Sequence, residues 1–164
     1  MVPFASEIVI DRPLDEVATF LADVERHVEW TDMSASRKLT EGQVRTGTKV
    51  YGEVAMGPMK LGWTYEITEF DPARVLSYRT VSRTAIGMDG SYRMQPESTT
   101  STRIAASGEI RTRGVLRLLE PILRAELARK ENGELRRLKE LIEAVPSSTT
   151  MPTGRSPQEA QTLE

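Results

Sequence analysis

The segment VYGEVAMGPMKLGWTYEI, residues 50–67, decides the fold because it places two alternating stretches on either side of one turn. The pair Gly57-Pro58 between the stretches is typical of tight turns. In each stretch every second residue is apolar or glycine and falls on one face of a strand: Val50, Gly52, Val54 and Met56, then Leu61, Trp63, Tyr65 and Ile67. A half-buried sheet pairs apolar with apolar residues, so we predict an antiparallel hairpin. The predicted pairs are Met56 with Leu61, Val54 with Trp63, and Gly52 with Tyr65.

The same period of two continues over residues 33–111, which indicates further strands. They are predicted at 34–39, 48–56, 60–70, 75–82, 91–95 and 102–111. Short turn signals separate them, at Glu41-Gly42, Gly57-Pro58, Asp71-Pro72, Asp89-Gly90 and Pro96-Glu97. Such short connections favour an antiparallel meander.

Helical patterns flank the predicted sheet. Residues 4–10 are predicted to form a first strand, and two short helices are predicted to follow it over residues 14–30. A long helix is predicted over 114–144, with a kink or a break near Pro121 because its ring removes a backbone hydrogen bond. The Ser-, Thr- and Pro-rich residues 145–164 are predicted to be a flexible tail, so the domain spans 4–144.

Composition excludes several classes of protein. The 164 residues contain no cysteine and one histidine, which excludes disulfides, thiolate chemistry and His-rich metal sites. A net charge of −2 argues against a nucleic-acid-binding protein. The sequence has no long apolar run and no secretory signal pattern at its start, so we predict a cytoplasmic protein without an integral membrane segment. No cofactor or metal is predicted, and the sequence leaves monomer and dimer open.

The inward face of the predicted sheet combines large and very small side chains. It carries Trp63 and three tyrosines, yet also Gly52, Ala106 and Gly108, which fill little volume. One helix covers only part of a curved sheet, so the remaining surface either encloses a cavity or is filled core. Apolar walls with a few hydroxyls are typical of small-molecule sites. A packed core whose hydroxyls reach the edge of the sheet explains the same residues.

Two regions of the sequence, residues 8–30 and 65–79, resemble a known family. The residues IVIDRP (8–13) with EVATFLAD (16–23) and Trp30 resemble the opening of START-like (SRPBCC) proteins, and YEITEFDP (65–72) with RVLSYR (74–79) resembles their central hairpin. The nearest branch is the polyketide cyclase/dehydrase and lipid transport family. The resemblance implies an α+β helix-grip fold, in which a curved antiparallel sheet of six to seven strands wraps around a long C-terminal helix. It also implies a cavity between them for a sterol, lipid, polyketide or other apolar molecule.

These features together predict a ligand-binding site in that cavity. The sheet contributes Val54, Met56, Trp63, Tyr65, Tyr78, Tyr92 and Met94. The helix contributes Leu119, Leu123 and Leu127, while Trp30 and Met33 close one end.

Two residues are weak catalytic candidates, His27 as a general acid–base and Tyr78 as a proton donor. His27 lies among Glu25, Arg26 and Glu29, so its side chain is predicted to be solvent-exposed beside carboxylates. We therefore expect binding, transport or sequestration of an apolar molecule. The alternatives are a cyclase or dehydratase that uses these side chains, and a module that docks on a protein or a membrane.

Overall fold

The computed structural model describes residues 1–129 and 133–146, without the side chains of Met56, Leu119, Leu123 and residues 126–129. The predicted tail thus lies almost wholly outside the described residues. Seven strands form one antiparallel sheet in the order β1-β7-β6-β5-β4-β3-β2. Their bounds are β1 Val2–Ile10, β2 Ala35–Lys38, β3 Lys49–Met56, β4 Met59–Asp71, β5 Val75–Thr80, β6 Ile86–Pro96 and β7 Thr102–Thr112.

The helices lie at the two ends of the chain. Helix α1, Leu14–Ala22, and a 3₁₀ helix, Val24–Glu29, follow β1 as predicted. After β7 come a second 3₁₀ helix, Gly114–Leu119, then α2, Glu120–Arg129, and α3, Gly133–Ala144. The chain therefore has the predicted α+β helix-grip architecture with a C-terminal helix.

The predicted break near Pro121 is present as a change of helix type. The second 3₁₀ helix ends at Leu119, and Pro121 is the second residue of α2. In the first turn of a helix the missing N–H of proline removes no intrahelical bond. Pro121 therefore lies in the first turn of a new helix instead of kinking a continuous one.

The hairpin register differs from the prediction by two residues. Met56 pairs with Met59, Val54 with Leu61, and Gly52 with Trp63. The loop contains only Gly57 and Pro58, with Gly57 at φ +60°, and this short turn shifts the pairing. Because a shift of two keeps every side chain on its face, the apolar faces are as predicted. The next pairing places Ile67 opposite Tyr78 and Tyr65 opposite Thr80.

The pair Asp89-Gly90 was predicted to be a turn, but it lies inside β6. Gly90 pairs with Gly108 of β7, and a Cβ atom at Gly90 would lie 2.8 Å from the Tyr78 hydroxyl. A Cβ atom at Gly108 would clash with the carbonyl oxygen of Asp89 and lie 2.8 Å from the Phe4 ring. These glycines therefore allow close packing, and the surface at Gly108 is occupied by Phe4.

Helix α3 closes one side of the sheet. Its stripe of Leu135, Leu138 and Ile142 is almost fully buried and joins the core. The Arg12 guanidinium donates to the carbonyl oxygens of Glu143 (2.6 Å) and Val145 (2.8 Å), which have no partner within the helix. These bonds fix the C-terminal end of α3 against the start of α1.

Replacing Gly108 with alanine should destabilise the fold. The added methyl group has to displace backbone of β6, so we expect Gly108→Ala to lower the free energy of unfolding by about 2 to 3 kcal/mol. Urea denaturation measures the loss. Gly87→Ala is the matched control, since its Cβ atom would make only an ordinary 3.5 Å contact with Thr80. Equal stability of the two variants would contradict the packing argument.

Candidate ligand-binding site

The structure brings several of the predicted site residues into one row of rings. The ring centroids of Trp30 and Tyr92 are 5.6 Å apart, those of Tyr92 and Tyr78 are 5.9 Å apart, and those of Tyr78 and Tyr65 are 5.7 Å apart. His27 extends the row, with its ring 5.0 Å from that of Trp30. Most of these contacts are edge-to-face, the arrangement that aromatic rings prefer. We call these five residues the aromatic row.

Trp63 and Met33 meet beside the aromatic row on the same side of the sheet. A Cβ atom at Gly52 would lie 3.1 Å from the Trp63 ring and 3.2 Å from the Met33 sulfur, so glycine makes room for both side chains. Met94 is buried and Val54 is partly buried against the core. The predicted sheet-side residues whose side chains are described therefore belong to one apolar cluster.

The row differs in exposure along its length. Trp30, Tyr65 and Tyr92 are each 8% exposed or less. Tyr78, which lies between Tyr65 and Tyr92, is only partly buried. The accessible side of the aromatic row is therefore beside Tyr78.

The predicted exposure of His27 is wrong, because the side chain is 4% exposed. The reason is the 3₁₀ helix, in which residues three apart lie on the same face. Val24 and His27 share the inward face, whereas Arg26 and Glu29 share the outward face and form an ion pair at 2.8 Å. A histidine next to carboxylates in sequence is thus separated from them in space.

His27 is held as a neutral imidazole. Its Nε2 lies 2.9 Å from the carbonyl oxygen of Leu21. A carbonyl oxygen only accepts, so Nε2 carries the hydrogen and donates it, and Nδ1 keeps the lone pair. Burial lowers the pKa of His27 by disfavouring the charged form.

The three tyrosines of the row are neutral phenols. Burial raises the pKa of Tyr65 to about 12. Burial, followed by neighbouring groups that include the Glu134 carboxylate, raises the pKa values of Tyr78 and Tyr92. At neutral pH these side chains therefore donate hydrogen bonds and do not supply a phenolate base.

One hydrogen-bond donor in the row has no partner. The indole Nε1 of Trp30 is buried and makes no hydrogen bond with any described residue. Buried donors are nearly always paired, so this atom is a point where a ligand acceptor would be stabilised.

The predicted site residues did not include the N-terminal end of α3, which forms part of the helix side of the site. The N-terminal end of α3 adjoins the row, because Arg137 Nε donates to the carbonyl oxygen of Trp30 (2.9 Å) and Glu134 Oε1 accepts from the Asp32 amide (3.0 Å). Leu135 is fully buried nearby in the core. The apolar spacing of Leu135 with Leu138 and Ile142 was the sequence pattern from which this burial could have been predicted.

The side chains of Met56, Leu119, Leu123 and Leu127 lie outside the described residues, so their predicted contacts remain predictions.

A separate groove lies between α1 and the loops at one end of the sheet. It has a volume of about 980 Å³, and its walls include Leu14, Ala18, Val44 and Phe70. None of the predicted ligand-binding residues whose side chains are described lines it. Within the described part of the chain, no helix has the length and apolar character needed to cross a bilayer.

Solved structures share this fold. The Zhui aromatase/cyclase from Streptomyces sp. R1128 matches with a TM-score of 0.71 and 21% identity, over 86% of this chain and 93% of that chain. The protein TTHA0849 from Thermus thermophilus matches with a TM-score of 0.72 and 17% identity, over 88% and 99%. A START superfamily protein from Mycobacterium smegmatis matches with a TM-score of 0.68 and 11% identity, over 86% and 97%. At these identities the likeness establishes the helix-grip fold.

No curated protein matches the sequence. A family model does match, and it covers residues 1–143, which include every described strand and most of α3. The chain therefore belongs to the polyketide cyclase/dehydrase and lipid transport family.

Proposed function

We propose that the protein binds an apolar small molecule of the lipid or polyketide class, in the cytoplasm, between the sheet and the C-terminal helices. The observation that carries this proposal is the unpaired indole N–H of Trp30 inside an apolar aromatic row. A small-molecule site is typically apolar with a few well-placed polar atoms. The sheet-side residues Val54, Trp63, Tyr65, Tyr78 and Met94 would line it with Trp30, Met33 and Tyr92. The predicted contributions of Met56, Leu119, Leu123 and Leu127 belong to the same proposal.

The polar atoms of the row favour a ligand with a neutral acceptor group. Trp30 and the raised-pKa tyrosines offer hydrogen-bond donors without positive charge. His27 is held neutral, and the nearby Glu134 carboxylate is negative. A ligand carboxylate would lack a cation in this row, whereas a ketone, quinone or phenol oxygen needs only a donor. The proposed ligand is therefore an uncharged, carbonyl- or hydroxyl-bearing apolar molecule.

Intrinsic fluorescence should report binding directly, because both tryptophans of the chain lie at the proposed site. We expect a polycyclic anthraquinone or a ketosteroid to change the emission of Trp30 and Trp63 in a saturable manner. Oleate should bind more weakly because the aromatic row itself offers its carboxylate no cation. The absence of saturable binding by every neutral compound would overturn the proposal, and tighter binding of oleate would overturn the preference for neutral ligands.

Removing one hydroxyl should weaken binding only where that hydroxyl faces the ligand. We expect Tyr78→Phe to weaken binding of the anthraquinone about fivefold to tenfold, the usual effect of one lost hydrogen bond. Tyr51→Phe is the matched control, since the Tyr51 hydroxyl bonds Glu53 (3.1 Å) away from the aromatic row. Calorimetric titration measures the affinity of each variant for the anthraquinone. Equal affinities would remove Tyr78 from the site.

A second candidate function is cyclisation or dehydration, favoured by the position of a neutral imidazole beside Tyr92, with ring centroids 6.3 Å apart. The free Nδ1 of His27 would accept a proton, and the hydroxyl of Tyr78 would polarise a substrate carbonyl. Turnover of a poly-β-ketone analogue that is lost in His27→Gln and in Tyr78→Phe, with binding retained, would support it. Binding without turnover in the unmodified protein would restrict the function to the first proposal.

The buried histidine should also make stability depend on pH. The unfolded chain binds a proton at His27 near its ordinary pKa of 6.5, but the folded chain binds it only at lower pH. Stability should therefore fall as the pH drops below about 6.5, by up to about 1.4 kcal/mol per pH unit. Urea denaturation between pH 7.5 and about 5 measures this slope, and His27→Gln, which keeps an N–H donor, should lose it. A single histidine resonance that titrates at or above 6.5 in the folded protein would contradict the assignment.

A further inference from the structure

A row of exposed aliphatic side chains follows β7. Gly114, at φ +61°, turns the chain sharply into the second 3₁₀ helix. Val115 and Leu118 are 79% and 80% exposed, and their spacing of three places them on one face of that helix. Ile122 follows four residues later in α2 and is 59% exposed. Large aliphatic groups at this level of exposure are unusual when they form a continuous row.

Arginines surround this row. Arg113 and Arg117 are exposed beside Val115, and Arg83 is exposed on the neighbouring loop, residues 81–85. The Arg113 amide donates to the Ala85 carbonyl oxygen (2.8 Å), which joins this loop to the end of β7. Residues 111–125 contain four arginines and one acid, Glu120, in a chain whose net charge is −2. This end of the sheet is therefore basic on an otherwise acidic protein.

A small cavity lies between the loop and β7. Its volume is about 140 Å³, and its walls include Arg83, Arg111 and Arg113 with the hydroxyl-bearing Ser82 and Thr84. Arg111 is partly neutralised by Asp89, which accepts a hydrogen bond from Arg111 Nη2 (2.5 Å). Its Nε is buried and has no partner among the described residues. Guanidinium donors around a space of this size suit the oxygens of a phosphate group.

We propose that this basic–apolar end docks reversibly on the surface of an anionic phospholipid membrane. It comprises Val81, Arg83, Arg111, Arg113, Val115, Arg117, Leu118 and Ile122. A lipid phosphodiester occupies the arginine cavity, and the aliphatic row enters the boundary between head groups and acyl chains. Basic residues beside inserted aliphatic groups are the usual composition of interfacial membrane contacts. The inference does not depend on the interior ligand.

The charge of the surface favours a membrane over a second copy of the chain. A twofold dimer through this end would bring the same arginines of two copies together, and like charges repel. An anionic bilayer supplies the opposite charge over the whole surface. The exposed aliphatic groups also leave water when they enter the lipid, which adds a favourable free energy that a phosphate ion in solution does not supply.

Vesicle co-sedimentation tests the proposal. The full chain should bind vesicles of phosphatidylcholine with phosphatidylglycerol and bind pure phosphatidylcholine at least tenfold more weakly. Binding should weaken in about 1 M salt, where the Debye length falls to about 3 Å. Equal binding to both vesicles, or to neither, would overturn the proposal.

Variants separate the contribution of the arginines to membrane binding from that of the aliphatic row. Arg83→Ala with Arg113→Ala should weaken binding to the anionic vesicles about 30-fold, and Arg83→Lys with Arg113→Lys should restore most of it. Leu118→Ser should weaken binding about tenfold. Matched controls at the opposite end of the sheet are Arg45→Ala and Leu39→Ser, which remove an exposed arginine and an exposed leucine. Controls that weaken binding as much as the test variants would overturn the assignment of this surface.

Two further measurements test the alternative occupants of this surface, a soluble phosphate compound and a second copy of the chain. Saturable binding of inorganic phosphate without vesicle binding would overturn membrane docking in favour of a soluble phosphate compound. Self-association that is abolished by Leu118→Ser, again without vesicle binding, would overturn it in favour of a dimer. Fluorescence titration with the anthraquinone should be unchanged in all of these variants, so failure of docking and failure of interior binding are distinguishable.

Discussion

The structure depends on aromatic rings that lie against glycines of neighbouring strands. Trp63 crosses Gly52, the Tyr78 hydroxyl approaches Gly90, and Phe4 covers Gly108. In each case a Cβ atom would occupy space that the ring or the adjacent backbone already fills. Glycine in a strand is costly by itself, so its presence here shows how strongly ring packing determines the sheet. The same packing of a ring over a glycine occurs on the other face of the sheet, where Tyr51 lies over Gly62.

This constraint explains which parts of the fold were predictable from the sequence. The faces of the central hairpin follow from a period of two, and they survive a register shift of two residues. The register itself depends on loop length and on the fit of Trp63 over Gly52, which the alternation of residues does not encode. Asp89-Gly90 was misassigned for a related reason. The sequence signal of a glycine required by a neighbouring ring is the same as that of a turn.

The candidate site was predictable to a similar degree. Tyr65, Tyr78 and Tyr92 share the inward face because of strand alternation, so their meeting could be predicted. The burial of His27 could not, since it depends on a 3₁₀ helix in place of an α-helix and on the three-residue period that follows. The approach of Glu134 to Asp32, across 102 residues, and to Tyr78 and Tyr92 is also tertiary. Local patterns contain no information about such a pairing.

The distribution of charge connects the interior to the surface. The imidazole and the phenols of the aromatic row are all held neutral by burial, and arginines are concentrated instead at the end of the sheet around Arg113. An uncharged apolar molecule enters such an interior without leaving an unpaired ion behind, which a charged lipid would do. In the proposed docking, the head group of an anionic lipid is instead stabilised by the arginines of the basic–apolar end. A protein with this division of charge would hold membrane lipid by its surface and select neutral molecules for its interior.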